Sequence, residues 1–266
     1  MEKLIQICKD ALHKAHGVLS SIGDKGTSEI HDKHVVDIST QGDIAVSEAL
    51  TRFFKKQKIP AILFSEELGS IELAKNPKYT ITFDDIDGTH NYFRGRGILP
   101  YCTVVSIFDS LEPKFEDALV AGVIEHNSGK LWHAVKNNGC YLNNNKVNTS
   151  GRKIFDRKTL VIIDHYACGK NISKFLKFYS ESWVKDFGSA AFHLAGLSSG
   201  LFDAYLNPSQ KAHELGAGYL LIKEAGGSLI DFNGNSLDGV RYDFNRKYSI
   251  IAASTQKLGK ILLSKL

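Results

Sequence analysis

The sequence predicts an α/β (α+β) fold, because its two halves both mix helical and strand patterns but order them differently. The first half begins with helical patterns, and β-rich runs separated by polar turns follow from about residue 101. After about residue 152, strand and helix patterns alternate, as they do in an α/β layer. The turn "NTSGRK" therefore predicts a division into an N-terminal half, residues 1–150, and a C-terminal half, residues 151–266.

The elements of the first half follow from periodicity and turn residues. Apolar residues at helical spacing predict an amphipathic helix over residues 2–22, which ends near Gly23. Asp43 is predicted to cap a second helix that runs through Phe54. The predicted strands are "HVVDIST", "AILFS", "YTITF", "YCTVVSIF", "ALVAGVIEH" and "KLWHAV". The Asn-rich segment "NNGCYLNNNKVN" is predicted to be a turn.

In the second half, strands and helices are predicted in alternation. The predicted strands are "TLVIID", "SWVKDF", "LFDAYL", "SLIDF" and "YSIIAAS". The predicted helices are "ISKFLKFY", "GSAAFHLAGLSSG", "HELGAGYLLIKEAGG" and "TQKLGKILLSKL". No long flexible linker separates the halves, so we expect them to pack against each other.

Composition excludes several classes of protein. The net charge of +4 is spread over scattered Lys and Arg residues, so no nucleic-acid partner is expected. The 4 cysteines form no CxxC pair, which indicates free thiols in a reducing compartment rather than a zinc site. No apolar run is long enough for a membrane span, and the N-terminus lacks a signal-peptide pattern. We therefore expect a cytoplasmic protein.

Carboxylates are concentrated where two predicted strands end. "FSEELG" places Glu66 and Glu67 after one strand, and "FDDIDGT" places Asp84, Asp85 and Asp87 at the end of the next. Carboxylate oxygens are the ligands that Mg²⁺ prefers, and a metal would offset their mutual repulsion. If the strands are neighbours, a metal site is predicted at this edge, with Asp85 facing away from Asp84.

Each part of this pattern also has a structural interpretation. Asp87-Gly88 alone is typical of a β-turn, and "SEEL" is typical of a helix start with Ser65 as its N-cap. The concentration of acids favours the metal. Gly88 allows the backbone to approach a ligand closely, and Thr89 offers a hydroxyl and an N–H to a phosphate.

At this point the sequence resembles the inositol monophosphatase superfamily. "FDDIDGTHNYF" is similar to its D-P-I-D-G-T-x-N-F signature, "FSEELG" to its G-E-E segment and "VDISTQGD" to its D-x-x-T-x-x-D segment. "GSAAFHLAGLSSGLFDAYL" and "HELGAGYLLIKEAGG" resemble two later segments of the family, and all occur in the family's order between about residues 33 and 232.

The resemblance implies a layered αβαβα sandwich of the sugar-phosphatase type, usually a homodimer, and a lithium-sensitive phosphomonoesterase. Its cofactor would be Mg²⁺, as two or three ions. Glu66, Asp84 and the Ile86 carbonyl would bind one ion, and Asp84, Asp87 and Glu214 another. These ions would activate a water and stabilise the leaving oxygen of a small phosphorylated substrate.

The resemblance also implies the remaining roles. Glu66 and Thr89 would serve the attacking water, with Asp43 and Glu67 in support. Substrate contacts would come from Gly88, Thr89, Ala190, Asn207 and Lys211. Lys211 is otherwise interpreted as a solvated surface charge.

Departures from the family pattern concern Asp85, His213, Glu214 and Asn207. Asp85 replaces a proline, and His213-Glu214 replaces Trp-Asp. Glu214 would bind a metal only if its longer side chain is accommodated, and His213 is expected at the surface or, alternatively, on the substrate. Asn207 stands where inositol-specific members carry a glutamate, which leaves fructose 1,6-bisphosphate open beside an inositol phosphate. A 3′-phosphoadenosine 5′-phosphate nucleotidase and a catalytically weak, phosphate-binding relative are the alternatives.

Overall fold

The computed structural model of the protein describes the backbone of residues 1–34 and 37–266 and the side chains of residues 1–28 and 39–266. Val35 and Val36, in the predicted strand "HVVDIST", lie outside the described residues.

The helices are α1 (Glu2–Ile22), α2 (Gln41–Gln57), α3 (Thr89–Gly95), α4 (His165–Cys168), α5 (Leu176–Glu181), α6 (Ala190–Ser198), α7 (Ala212–Glu224) and α8 (Gln256–Leu263). Short 3₁₀ turns cover Gly23–Thr27, Phe115–Asp117 and Gly169–Phe175. The strands are β1 (Glu29–His34), β2 (Asp37–Thr40), β3 (Ala61–Ser65), β4 (Gly69–Glu72), β5 (Tyr79–Asp87), β6 (Cys102–Phe108), β7 (Ala118–Glu125), β8 (Lys130–Val135), β9 (Gly139–Leu142), β10 (Asn145–Val147), β11 (Leu160–Ile163), β12 (Trp183–Lys185), β13 (Ala204–Lys211), β14 (Ser228–Ile230) and β15 (Lys247–Ala253).

These elements form alternating layers around two larger sheets. One sheet has the strand order β10-β9-β8-β7-β6-β5-β3-β4 and the other β12-β11-β13-β15-β14, while β1 and β2 pair by themselves. Helices α1 and α2 cover one face of the larger sheet, and α6 and α7 pack between the two sheets. Helix α8 covers the outer face of the smaller sheet. The layered αβαβα fold expected from the sequence is confirmed.

The middle layer joins the two predicted halves of the chain. Its buried cluster contains Val104 and Trp132 from the larger sheet, and Leu194, Leu220 and Ala252 from the later elements. Because these residues share one core, burial of α6 and α7 depends on both sheets. The boundary near residue 150 itself stays a prediction.

Three local predictions were wrong in where they placed a cap, a strand or a helix start. Thr40, not Asp43, is the N-cap of α2, and Asp43 is the third residue of a capping box with Thr40. The Asn-rich segment forms strands β9 and β10, because Asn143 and Asn144 adopt positive φ and close a tight hairpin. The segment "ISKFLKFY" is split into a 3₁₀ turn and α5.

The cysteines and the helices bear on two of the expectations from composition. All of the cysteines, Cys8, Cys102, Cys140 and Cys168, are free and buried. Within the described part of the chain, no helix combines the length and apolar character needed to cross a membrane.

Candidate active site

The pairing of β3 with β5 brings the acidic segments together. These strands are parallel neighbours, with Ser65 opposite Phe83. The carboxyl ends of parallel neighbours meet at one edge of a sheet, so Glu66 follows β3 beside Asp84 of β5. Ser65 ends a strand and does not begin a helix, although its hydroxyl accepts a hydrogen bond from the Leu68 N–H at 3.2 Å.

Asp84, Asp87 and Glu214 converge into a group that we call the inner cluster. Each offers an oxygen atom, and these atoms lie within 4.8 Å of one another. Asp84 and Asp87 end β5, whereas Glu214 lies in the first turn of α7. Burial and the charge of Asp87 hold the pKa of Glu214 well above its usual range, and burial with neighbouring acids does the same for Asp84. The longer Glu214 side chain is thus accommodated beside the two aspartates.

Hydrogen bonds to the start of α6 hold Asp87 in this position. Its carboxylate accepts bonds from the Ser189 hydroxyl, from the Ala191 N–H at 2.8 Å and from the Ala190 N–H at 3.3 Å. Burial raises the pKa of Asp87 to about 6 although these donors oppose the rise. Ala190 is predicted to contact substrate, and its backbone N–H points to Asp87 in this structure.

Glu66, Asp84 and His213 form a second group, the outer cluster, which shares Asp84 with the first. Their ligand atoms also lie within 4.8 Å of one another. Glu66 Oε1 accepts a hydrogen bond from Lys211 Nζ at 3.1 Å, and Glu66 Oε2 lies 3.1 Å from His213 Nδ1. Burial alone would raise the pKa of Glu66, but His213 and Lys211 outweigh it and hold that pKa well below its usual range. The surface position expected for His213 is wrong, because its side chain is only 12% exposed.

Asp85 faces away from the inner cluster, as strand alternation predicts. Burial and the charges of Asp43, Glu67 and Glu66 hold the pKa of Asp85 well above its usual range. Neither of its carboxylate oxygens has a hydrogen-bond partner among the described residues. The nearby Ser47 hydroxyl lowers that pKa only in part, so Asp85 is a buried acid with little compensation on the α2 side of β5.

Asp43 and Glu67 lie near Asp85 and have other contacts. Asp43 Oδ2 accepts hydrogen bonds from the Thr40 N–H at 2.7 Å and the Thr40 hydroxyl at 2.6 Å. Burial raises the pKa of Asp43 to about 7, against the effect of these bonds. Glu67 Oε1 accepts a hydrogen bond from the Ser39 hydroxyl at 3.3 Å.

Gly88 and Thr89 form the turn that leads from the inner cluster into α3. Gly88 has φ +85°, and a Cβ there would lie about 3.1 Å from both the Gly188 carbonyl and Ser189 Cβ. The position therefore requires glycine. The Thr89 hydroxyl donates to the Ile86 carbonyl at 2.9 Å and lies 3.5 Å from Asp43 Oδ1. The structure thus places Thr89 between the aspartate-rich end of β5 and Asp43.

Asn207 and Lys211 differ in their access to the site. Asn207 is only 2% exposed, and its amide donates to Asp164 and to Gln210 Oε1. Gln210 Nε2 in turn donates to Glu214 Oε2 at 3.0 Å. Asn207 therefore lies beneath the site and supports Glu214 through Gln210, whereas Lys211 reaches Glu66 directly.

The sequence profile described as the inositol monophosphatase family matches residues 1–266. The chain belongs to the inositol monophosphatase family. One relative, the bifunctional NADP phosphatase/NAD kinase of Methanococcus maripaludis, is 27% identical over 73% of this chain, which spans only 37% of that protein. The fructose-1,6-bisphosphatase/inositol-1-monophosphatase of Methanocaldococcus jannaschii is 26% identical over 90% of this chain and 86% of its own length.

The fold agrees with solved structures of this family. Extragenic suppressor protein SuhB of Bartonella henselae has a TM-score of 0.84 at 17% identity, covering 99% of this chain and 98% of that one. Members of the inositol monophosphatase family are phosphatases that act on phosphomonoesters, so the enzyme class expected from the sequence is confirmed. The two clusters supply the acidic groups that could hold the divalent metal used by this family.

Sequence reasoning missed some of the residues that shape the site. Ser189 and Gln210 contact the acids Asp87 and Glu214 directly. Neither belongs to a recognisable ligand pattern, and only the fold reveals the contacts. His213 had a signal, because a histidine next to a candidate metal ligand is itself a possible ligand.

Proposed function

We propose that the protein is a Mg²⁺-dependent phosphatase that hydrolyses the phosphate monoester of a small polyol or sugar. Inositol 1-phosphate and fructose 1,6-bisphosphate are the leading candidate substrates. The observation that carries this proposal is the convergence of Asp84, Asp87 and Glu214 beside the Gly88–Thr89 turn. Three buried carboxylates at such short separation would repel each other unless cations or protons compensate their charge.

The donor set fits hard divalent cations. The inner cluster offers only carboxylate oxygens, which Mg²⁺ prefers, and burial with mutual repulsion holds the pKa values of Asp84 and Glu214 above their usual range, which supports a site that a cation would stabilise. We propose that Glu66, Asp84 and the Ile86 carbonyl hold one ion and that the inner cluster holds another. Bound ions would supply an activated water and charge stabilisation at the phosphate.

The other residues would position the reactants. Thr89 is oriented by its bond to the Ile86 carbonyl, so its hydroxyl can hold a water near Glu66. We propose that Asp43 and Glu67 support this arrangement from the α2 side, and that the Gly88 and Thr89 N–H groups bind the phosphate. We propose that Lys211 meets a further anionic group of a substrate, which its 33% exposure beside Glu66 supports.

A phosphate-release panel tests the proposal. Inositol 1-phosphate, fructose 1,6-bisphosphate, 3′-phosphoadenosine 5′-phosphate and NADP would each be incubated with Mg²⁺, with Mg²⁺ plus Li⁺, and with a chelator. We expect release from a polyol or sugar phosphate that requires Mg²⁺ and is inhibited by Li⁺. Faster release from 3′-phosphoadenosine 5′-phosphate or NADP would assign a nucleotide as the substrate class. Binding without phosphate release from any compound would contradict the phosphatase assignment. Lithium sensitivity, a homodimer and a cytoplasmic location stay predictions.

A further inference from the structure

His213 stands at the edge of the metal-binding acids and has no role in the proposed reaction. It is the second residue of α7, and Glu214 follows it. Adjacent residues of a helix point about 100° apart, so these two side chains reach different sides of Asp84. Glu214 completes the inner cluster, and His213 completes the outer one.

Aromatic packing fixes the direction of the imidazole ring. The ring lies parallel to that of Phe244, with centroids 4.1 Å apart and an interplanar angle of 6°. Phe244 also contacts Phe64 of β3, at a centroid distance of 5.6 Å. Because Phe64 precedes Glu66 by two residues, the same packing links His213 to the end of β3, which Glu66 follows. A ligand held this way loses little freedom when it binds an ion.

Stacking alone does not account for the position of the nitrogen. His213 Nδ1 is buried and lies 3.1 Å from Glu66 Oε2, so it pairs with that carboxylate when the imidazole is protonated. The imidazole also offers a nitrogen within 4.8 Å of ligand oxygens of both Glu66 and Asp84. When the imidazole is neutral, this nitrogen and the two carboxylate oxygens converge as the ligands of one metal ion do.

We propose that His213 Nδ1 is a metal ligand and that Glu66, Asp84 and His213 form a mixed nitrogen and oxygen site. This inference rests on the proposed metal-dependent function and names the kind of ion that its outer site takes. Imidazole binds first-row transition ions in preference to Mg²⁺, whereas an all-carboxylate site suits Mg²⁺. The nitrogen ligand therefore gives the outer cluster a higher affinity for an ion such as Co²⁺ than an all-oxygen site would have, so Co²⁺ competes there with Mg²⁺, whereas the inner cluster remains suited to Mg²⁺.

Spectroscopy on Mn²⁺-loaded protein tests the ligand directly. The metal-free protein would be titrated with Mn²⁺, and pulsed electron paramagnetic resonance would be used to detect coupling of the ion to a ¹⁴N nucleus. We expect this coupling in the wild type and its loss in His213→Phe, which keeps a ring to stack on Phe244. Calorimetric titration with Mg²⁺, Mn²⁺ and Co²⁺ should show that His213→Phe weakens Co²⁺ binding at least about tenfold and Mg²⁺ binding far less.

A matched control separates this effect from a general loss of histidine. His13 is exposed on α1, so His13→Gln should leave both the coupling and the affinities unchanged. Circular dichroism would establish that the variants fold. Wild-type protein that has bound two Mn²⁺ ions, so that both clusters are filled, and still shows no nitrogen coupling would overturn the proposal, as would His213→Phe protein with unchanged Co²⁺ affinity. Neither result depends on phosphate release, so a failure of the proposed reaction would be seen separately in the substrate panel.

Discussion

The inner and outer clusters share Asp84 but handle charge in opposite ways. In the inner cluster, buried carboxylates repel one another, and the pKa values of Asp84 and Glu214 rise well above their usual range. In the outer cluster, Lys211 and His213 lie within 3.1 Å of Glu66, and the pKa of Glu66 falls. The same sheet edge therefore holds one site whose negative charge needs a cation and another whose negative charge is already compensated in part by protein side chains.

This difference bears on how the site would fill. A cation entering the inner cluster relieves repulsion, so its binding should stabilise the fold. A cation entering the outer cluster must compete with the Lys211 ammonium, which gives that site a weaker net gain. Occupancy of the inner cluster at lower metal concentration is the expected consequence.

Substitution of the shared residue should have the largest effect. Asp84→Asn removes a ligand from both clusters, and we expect a loss of phosphatase activity of about 10²–10⁴-fold. Without metal, the variant should be at least as heat-stable as the wild type, because one repelling charge is gone. The rise in Tm that Mg²⁺ gives the wild type should disappear, as measured by differential scanning fluorimetry.

Asp109→Asn is the matched control for this substitution, since Asp109 is exposed at the end of β6. It should keep both the activity and the Mg²⁺-dependent rise in Tm. Near-normal phosphate release by Asp84→Asn would show that neither cluster needs Asp84 for activity. The two clusters could then not be treated as metal sites that share this residue.

Asp85 tests whether uncompensated burial by itself governs stability. Its pKa is raised well above 3.8, so the folded protein binds this proton more tightly than the unfolded chain does. The contribution of Asp85 to stability is therefore lost as the pH rises from the usual carboxyl range through the raised pKa. In a chelator, Asp85→Asn should stabilise the protein at pH 8 by on the order of 1–3 kcal/mol, and by less at pH 5.

Urea denaturation of both proteins at several pH values would measure this difference. The gain should increase steadily from pH 5 to pH 8, whereas Asp109→Asn should give none at either pH. A gain that is constant with pH would show that the substitution acts through packing and not through the buried charge.

The sequence predicted the parts of this comparison that depend on strand ends. Glu66 and the aspartates of "FDDIDGT" follow strands whose apolar patterns are clear, and parallel pairing then brings them together. The sequence left open whether Glu214 reaches the two aspartates. Its side chain is one methylene longer than that of aspartate, and the distance it must span depends on where α7 begins. The predicted surface position of His213 is wrong because the burial of its side chain depends on stacking against Phe244, a residue distant in sequence.

The wrong local predictions have a common physical cause. The sequence predicts Asp43 as an N-cap, yet the side chain that caps α2 belongs to Thr40, and Asp43 accepts a hydrogen bond from Thr40 at the third position of the helix. The sequence predicts a turn around Asn143 and Asn144, and their tolerance of positive φ is what lets the flanking residues pair as β9 and β10. In both cases the residue type was informative, but its exact position in the motif depended on neighbouring backbone.

The competition at the outer cluster gives the smallest predicted effect. Lys211→Met keeps the length and apolar stem of the side chain but removes the ammonium group beside Glu66. The side chains of Lys211 and Glu66 are 33% and 28% exposed, so solvent screens their ion pair. We therefore expect Mg²⁺ affinity to rise only about 2–5-fold. Calorimetry without substrate would measure this change separately from any role of Lys211 in substrate binding.

Lys223→Met, which removes the ammonium of a similarly exposed pair with Asp238, should leave Mg²⁺ affinity unchanged. Weaker Mg²⁺ binding in Lys211→Met would mean that the ammonium supports the outer cluster and does not compete with the cation.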